Sequence, residues 1–280
     1  MMKRAAVMLG LLWHCAAPAA GRADEVDAAA MKVTMGSVAM DIPAEMIRRM
    51  NALTRHIGAT AGLRIDFRPS PNLDSAVDDL GTGLTQIAYL TPVAYIEAHR
   101  KYGVEPLVAP TTGGRPAFAL VIGVKAGRGI AEPADLKGKR FAFGDEKALL
   151  QKAAVESMGL KAGDFSGIAY LKHYDNIAKA VLAGDFDGGI LKDSVADDFR
   201  DRGIAVIGST PPLPSYVFAV RPDMPAALRS RLRDAFLALD RNQPGGAAVL
   251  GAFDGACDGF VVVEDKAYDT VRKLIQPHRK

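Results

Sequence analysis

Two spacings of apolar residues alternate along this chain. Short runs such as "MKVTMG" (residues 31–36), "LRIDFRP", "QIAYL", "FALVIGVK", "KRFAFG", "GIAYLKH", "FDGGIL", "GIAVIGST" and "YVFAV" have the length and composition of strands. Helical spacing fills the gaps between them. Ile42, Met46, Ile47, Met50, Leu53 and Ile57 fall on one face of a helix that Asp41 and Pro43 open and Gly58 closes. A short helix is expected over residues 74–80, ahead of a Gly81/Gly83 turn, and another starts at Thr91-Pro92, where proline suits the first turn. Asp145 is expected to cap a helix that runs to about Met158, with Gly159 as its stop. "DNIAKAVLAG" is a further helix, Asp193-Ser194 opens the next, and a long helical region follows Pro225.

Strands and helices alternating at these lengths make an α/β protein with mainly parallel sheets. Their order also repeats: "VTMGS" (residues 33–37) corresponds to "FAFGD" (141–145), and "IAYLTPVA" (87–94) to "GILKDSVA" (189–196), which points to two similar lobes. In open parallel sheets ligands sit beyond the carboxyl ends of the strands. That rule selects residues 37–40, headed by Ser37; 89–91, with Tyr89 and Thr91; 144–147, with Gly144 and Lys147; and 191–194, with Asp193 and Ser194. The chain passes between the lobes near Ala119 and again over residues 214–217, so both crossings are candidate hinges.

At 280 residues, 49% hydrophobic and 24% charged, the chain can bury one or two ordinary cores. Lys3 and Arg4 precede an apolar run from Ala5 to Trp13 and the small-residue tail "CAAPAAGRA", the order of a secretory signal peptide over residues 1–23. The run is too short to span a bilayer, so export and cleavage are expected. Losing Lys3, Arg4 and Arg22 takes the formal charge from +3 to zero, which leaves no basic footprint for nucleic acid or an anionic membrane. Only Cys257 would then remain, and an intramolecular disulfide is excluded.

The chain carries no CxxC, HExxH, GxSxG, phosphate loop or dinucleotide-binding glycine motif, so neither an enzyme nor a cofactor or metal site is expected. The segment His173-Tyr174-Asp175-Asn176 lies between a strand and a helix. His173 can donate to an oxyanion there, or the segment is a polar loop in which Asp175 caps the helix. Tyr89 reads either as a core ring or as a cleft-wall aromatic, and Asp193 either as a helix cap or as a ligand group.

Taken in order, "LGTGLTQIAYLTPVAYIEA", "ADLKGKRFAFGD" and "HYDNIAKAVLAGDFDGGILKDSVADDF" resemble the phosphate/phosphite/phosphonate type of periplasmic substrate-binding protein that serves ABC importers. The resemblance implies a type II periplasmic binding protein fold: residues 31–118 and 217–280 forming lobe 1, residues 119–216 forming lobe 2, and two hinge strands between them. It also implies a monomer that closes over a small ligand and delivers it to a membrane permease, or, in an alternative role, reports it to a sensor kinase. By position, Tyr89 matches the family's aromatic at the end of a first-lobe strand. His173 matches a histidine that approaches the anion, and Asp193 an acid that lines the cleft. The turn after Gly144 matches the principal anion site, normally a Ser/Thr cluster. Here Glu146, Lys147 and Ala148 replace it, so altered specificity is expected.

Overall fold

The computed structural model describes residues 31–38, 43–146 and 148–278. The expected signal peptide over residues 1–23, the helix-opening Asp41 with Ile42, and the candidate ligand residue Lys147 lie outside the described residues. In chain order the elements are β1 (Lys32–Ser37), α1 (Pro43–Ala61), β2 (Arg64–Pro69), α2 (Leu73–Thr82), β3 (Ile87–Leu90), α3 (Pro92–Tyr102), β4 (Glu105–Thr111), β5 (Ala117–Phe118) and β6 (Leu120–Lys125). They continue as β7 (Arg140–Phe143), α4 (Leu149–Ser157), β8 (Gly167–Tyr170), α5 (Tyr174–Ala183), β9 (Gly188–Lys192), α6 (Asp193–Asp198) and β10 (Ile204–Ser209). Last come β11 (Leu213–Pro214), β12 (Val217–Val220), α7 (Ala226–Leu237), α8 (Gly246–Phe253), β13 (Gly259–Val262) and α9 (Asp269–Ile275).

Among the described residues the strands form a six-stranded sheet, β13-β4-β12-β3-β1-β2, a five-stranded sheet, β10-β6-β9-β7-β8, and the pair β11-β5. Parallel pairing belongs to the strand–helix–strand units: β1 with β2 and β3, β7 with β8 and β9. The strands that leave the crossings, β12 and β6, add antiparallel to β3 and β9. Both sheets therefore share one layout, three parallel strands followed by an antiparallel one, and the protein is two-lobed. The crossings pair with each other, Leu213 opposite Phe118 and Pro214 opposite Ala117.

Period-two alternation explains the first sheet's position. In "IAYL" of β3 all four residues are buried; Ile87 and Tyr89 join the cluster under α1, α7 and α8, while Ala88 and Leu90 join the one under α2 and α3. On α1, Met46, Met50, Leu53 and Ile57 are all fully buried, each contributing about 1.5–3 kcal/mol. Ile47 stands one position around the helix from that stripe and is 42% exposed. The helix runs past Gly58 to Ala61, where Gly62 takes a left-handed φ of 62° and Leu63 N–H reaches back to Gly58 O at 2.8 Å. Gly58 has a different use: a Cβ there would lie 2.8 Å from Leu63 O.

Elsewhere the chain departs from its apolar pattern. "FALVIGVK" divides at Ala119, whose N–H and C=O are both bonded to Asp193 and not to a neighbouring strand. The helix expected from Asp145 begins at Leu149, with Ala148 at its cap and a turn from Ala148 N–H to Asp145 O before it. β4 carries Pro106 and Pro110 yet lies inside the sheet, beside a register shift between Phe218 and Ala219. The helical region after Pro225 is broken by β13.

The C-terminal segment docks on both lobes. Tyr95 of α3 donates to Asp265 at 2.6 Å, Tyr268 packs tilted against Tyr95 with ring centres 4.5 Å apart and donates to Ser215 O at 3.2 Å, and His278 Nε2 lies 3.4 Å from the Glu156 carboxylate on α4. Val271 and Ile275 of α9 are fully buried in the same cluster as Ala153 and Ala154 of α4.

Candidate functional site

The turn after β7 is built around Gly144. Its N–H donates to Gln151 Oε1 at 2.8 Å and its carbonyl accepts Lys172 N–H at 2.6 Å. A Cβ at this position would lie 2.7 Å from Gln151 Nε2 and 3.2 Å from Lys172 O, so any side chain there would displace the Gln151 amide. Gln151 is only 9% exposed, and its Nε2 donates onward to the Tyr174 hydroxyl at 3.2 Å. Burial pushes the Tyr174 phenol up, and the bond from Gln151 opposes that shift. Lys172 has a φ of 66°, and His173 N–H bonds to Leu171 O at 2.8 Å, closing a γ-turn. Such backbone stores strain of the kind found at binding loops. His173 is exposed; its carbonyl accepts the first N–H groups of α5, from Asn176 and Ile177, and its ring bonds to no described residue. Asp175 sits inside the first turn of α5, not at its cap.

On the first-lobe side Tyr89 is a nearly buried ring, 4.6 Å from Phe218, 5.2 Å from Phe253 and 5.6 Å from Tyr216. Tyr216 stands on the second crossing, 6.4 Å from Phe118 on the first. Burial pushes both phenols above their ordinary range; the Asp254 carboxylate adds to the effect at both, and Tyr174 adds to it at Tyr216. Among the described residues neither hydroxyl has a hydrogen-bond partner. Asp254 follows Phe253 directly and accepts Ala256 N–H at 2.9 Å through one oxygen. Gly144, Gln151 and Tyr174 thus form one hydrogen-bonded chain, and Tyr216 and Tyr89 one pair of rings at the second crossing, where the charges of Asp254 and Tyr174 are felt at Tyr216.

The other candidate residues hold backbone. Ser37 has no exposed surface, and its hydroxyl donates to Val38 O at 3.0 Å. Thr91 caps α3 by accepting Ala94 N–H at 3.2 Å. Asp193 accepts Ala119 N–H at 2.8 Å and Ser194 N–H at 2.9 Å and donates its own N–H to Ala119 O at 2.9 Å, which pins the first crossing to α6. Lys192 Nζ lies 5.8 Å from the centre of the Phe118 ring on that crossing. Gln151, Tyr216 and Asp254 escaped sequence reasoning. Tyr216 alone had a signal, an aromatic directly after the proline-rich "PPLPS" on the second crossing.

Two surface hollows, about 360 Å³ beside Asp240, Arg241 and Asp258 and about 380 Å³ beside Gln86, Arg221 and Asp223, lie away from these groups. Among the described residues no three His, Cys, Asp or Glu side chains are placed to hold a metal, and no helix is long and apolar enough to cross a membrane.

A family model described as the periplasmic substrate-binding protein of phosphonate ABC transporters matches residues 35–268. Among solved structures, PhnD1 from Prochlorococcus marinus in complex with methylphosphonate superposes with a TM-score of 0.74 at 17% identity, covering 88% of this chain and 98% of that one. XAC2383 from Xanthomonas citri, bound to chloride ion, gives 0.71 at 21% identity, covering 89% and 99%. A histidine kinase sensor domain with similarity to periplasmic binding proteins gives 0.52 at 16% identity, covering 81% and 97%.

Proposed function

This chain belongs to the family of periplasmic substrate-binding proteins of phosphonate-type ABC transporters, and from that membership we propose that it is the solute-binding component of an importer, closing two lobes over a small polar or oxyanionic ligand. The family consists of binding components and not of enzymes. The observation that supports the reading is the aromatic group at the crossings. Tyr216 on the second crossing packs 5.6 Å from Tyr89 of the first lobe and 6.4 Å from Phe118 on the first crossing, so a solute placed there would lie at the junction of the two lobes. Contacts on both lobes stabilise the closed form over the open one, and a permease that recognises the closed form receives only loaded protein.

In this reading the hydroxyls of Tyr89 and Tyr216, the Asp254 carboxylate and the exposed His173 ring are the ligand's contacts, while Asp193 and Ser194 hold the hinge-side wall. The ligand differs from a simple phosphonate. Where the family places a Ser/Thr cluster, Glu146 and Ala148 supply no hydroxyl, and each missing hydrogen bond to a charged group forfeits about 1.5–3 kcal/mol. Glu146 adds repulsion against an anion. A second reading, a ligand sensor that signals to a membrane receptor, is favoured by the likeness to a histidine kinase sensor domain.

A thermal-shift panel of residues 24–280 against phosphate, phosphite, phosphonates, sulfonates, amino acids and small carboxylates tests the proposal. One class is expected to raise the midpoint, since a ligand at a hundred times its dissociation constant adds about 2.7 kcal/mol. A panel in which methylphosphonate or phosphate alone gave a large shift would overturn the altered specificity.

A further inference from the structure

The strand-to-helix turn after β7 has the form of an anion site, yet its position is already taken from within. Gly144 N–H, the donor at the strand's end, is bonded to Gln151 Oε1 at 2.8 Å, and the other end of the Gln151 carboxamide, Nε2, donates to the Tyr174 hydroxyl at 3.2 Å. Gln151 is nine-tenths buried, so this is a packed arrangement and not a surface rotamer. A neutral amide oxygen occupies the place where an oxyanion would otherwise accept. To bind there, an oxyanion would have to expel Gln151, leaving its carboxamide to find new partners and Tyr174 without its donor. The backbone carbonyl of Lys172, 3.2 Å from where a Cβ on Gly144 would stand, adds an acceptor and no donor.

We propose that Gln151 is a specificity-determining residue of the cleft: it withholds the Gly144 amide from oxyanions and so directs recognition to the phenols of Tyr89 and Tyr216 and to Asp254. The inference rests on the reading of the chain as a solute-binding protein and deepens it. The bond from Gln151 to Tyr174 also ties the turn after β7 to the start of α5.

The test compares the wild type, Gln151→Ala and Gln151→Glu for binding of inorganic phosphate and of methylphosphonate by isothermal titration calorimetry. Gln151→Ala frees the amide and is expected to bind at least one of the two anions tenfold or more tighter than the wild type. Gln151→Glu keeps the shape and the acceptor for Gly144 and is expected to bind neither better than the wild type, which separates loss of the plug from general loosening. Circular dichroism melts establish that each variant folds; if Gln151→Ala does not, Gln151→Ser takes its place with the same expectation. Affinities unchanged or weakened in the folded truncation, or a wild type that already binds either anion as tightly as the truncation, would overturn the assignment. Whether any solute in the thermal-shift panel stabilises the wild type is a separate outcome, and it tests the solute-binding reading alone.

Discussion

Gly144 and Asp193 show how single residues hold the candidate cleft. Gly144→Ala places a methyl 2.7 Å from Gln151 Nε2 and 3.2 Å from Lys172 O, and only the first of these can move. It is expected to cost about 1–3 kcal/mol in urea denaturation and to displace the Gln151 amide. Asp193→Ala leaves Ala119 N–H and Ser194 N–H without acceptors and is expected to cost about 1–3 kcal/mol. Asp193→Asn keeps one carbonyl oxygen for the first crossing and loses less; equal losses from the two variants would contradict the pinning role. At this scale the sequence marked the turn at Gly144 and the His173 loop, because strand, glycine and helix leave a local pattern. It did not mark Gln151 or Asp254. Their importance comes from what the fold brings near them, a glycine seven positions back and two tyrosines from other elements, and no spacing in the chain encodes that.

Elements obey the same distinction. The strand–helix units were legible from periodicity, down to the start of α3 at Thr91-Pro92. β4 was not, since Pro106 and Pro110 argue against a strand, and pairing with β12 and β13 overrides them. The division of "FALVIGVK" at Ala119 was equally hidden, because the apolar run continues through the break that Asp193 enforces. The docking of α9 depends on an acid that titrates. Burial pushes the Asp265 carboxyl up, but Arg272 and Tyr95, and then the charge of Arg272, outweigh it and hold it below its usual 3.8. A lowered carboxyl contributes stability above its usual value and loses that contribution as pH falls through the folded-state value. Asp265→Asn should therefore lower the melting midpoint at neutral pH and flatten its fall below about pH 4. An acid limb parallel to the wild type's would show that α9 docks without that charge.

The whole molecule is two sheets of one layout joined by two paired crossings, with a buried cluster that runs from the α2/α3 layer through the hinge into the second lobe. The C-terminal segment bridges the back of this arrangement through Tyr268, Val271, Ile275 and the His278–Glu156 contact. A relative movement of the lobes would have to pass through the paired crossings, β5 and β11, and would strain the packing of α9 on α4. Removing residues 269–280 strips Val271 and Ile275 from the cluster and is expected to cost about 3–6 kcal/mol, taking two buried side chains at about 1.5–3 kcal/mol each, as read by urea denaturation. Closure of the two lobes over a solute is read out by small-angle X-ray scattering of residues 24–280 with and without the solute that gives the largest thermal shift. Closure predicts a smaller radius of gyration at saturation and no change with a solute that gives no shift. An unchanged radius with a saturating ligand would contradict it.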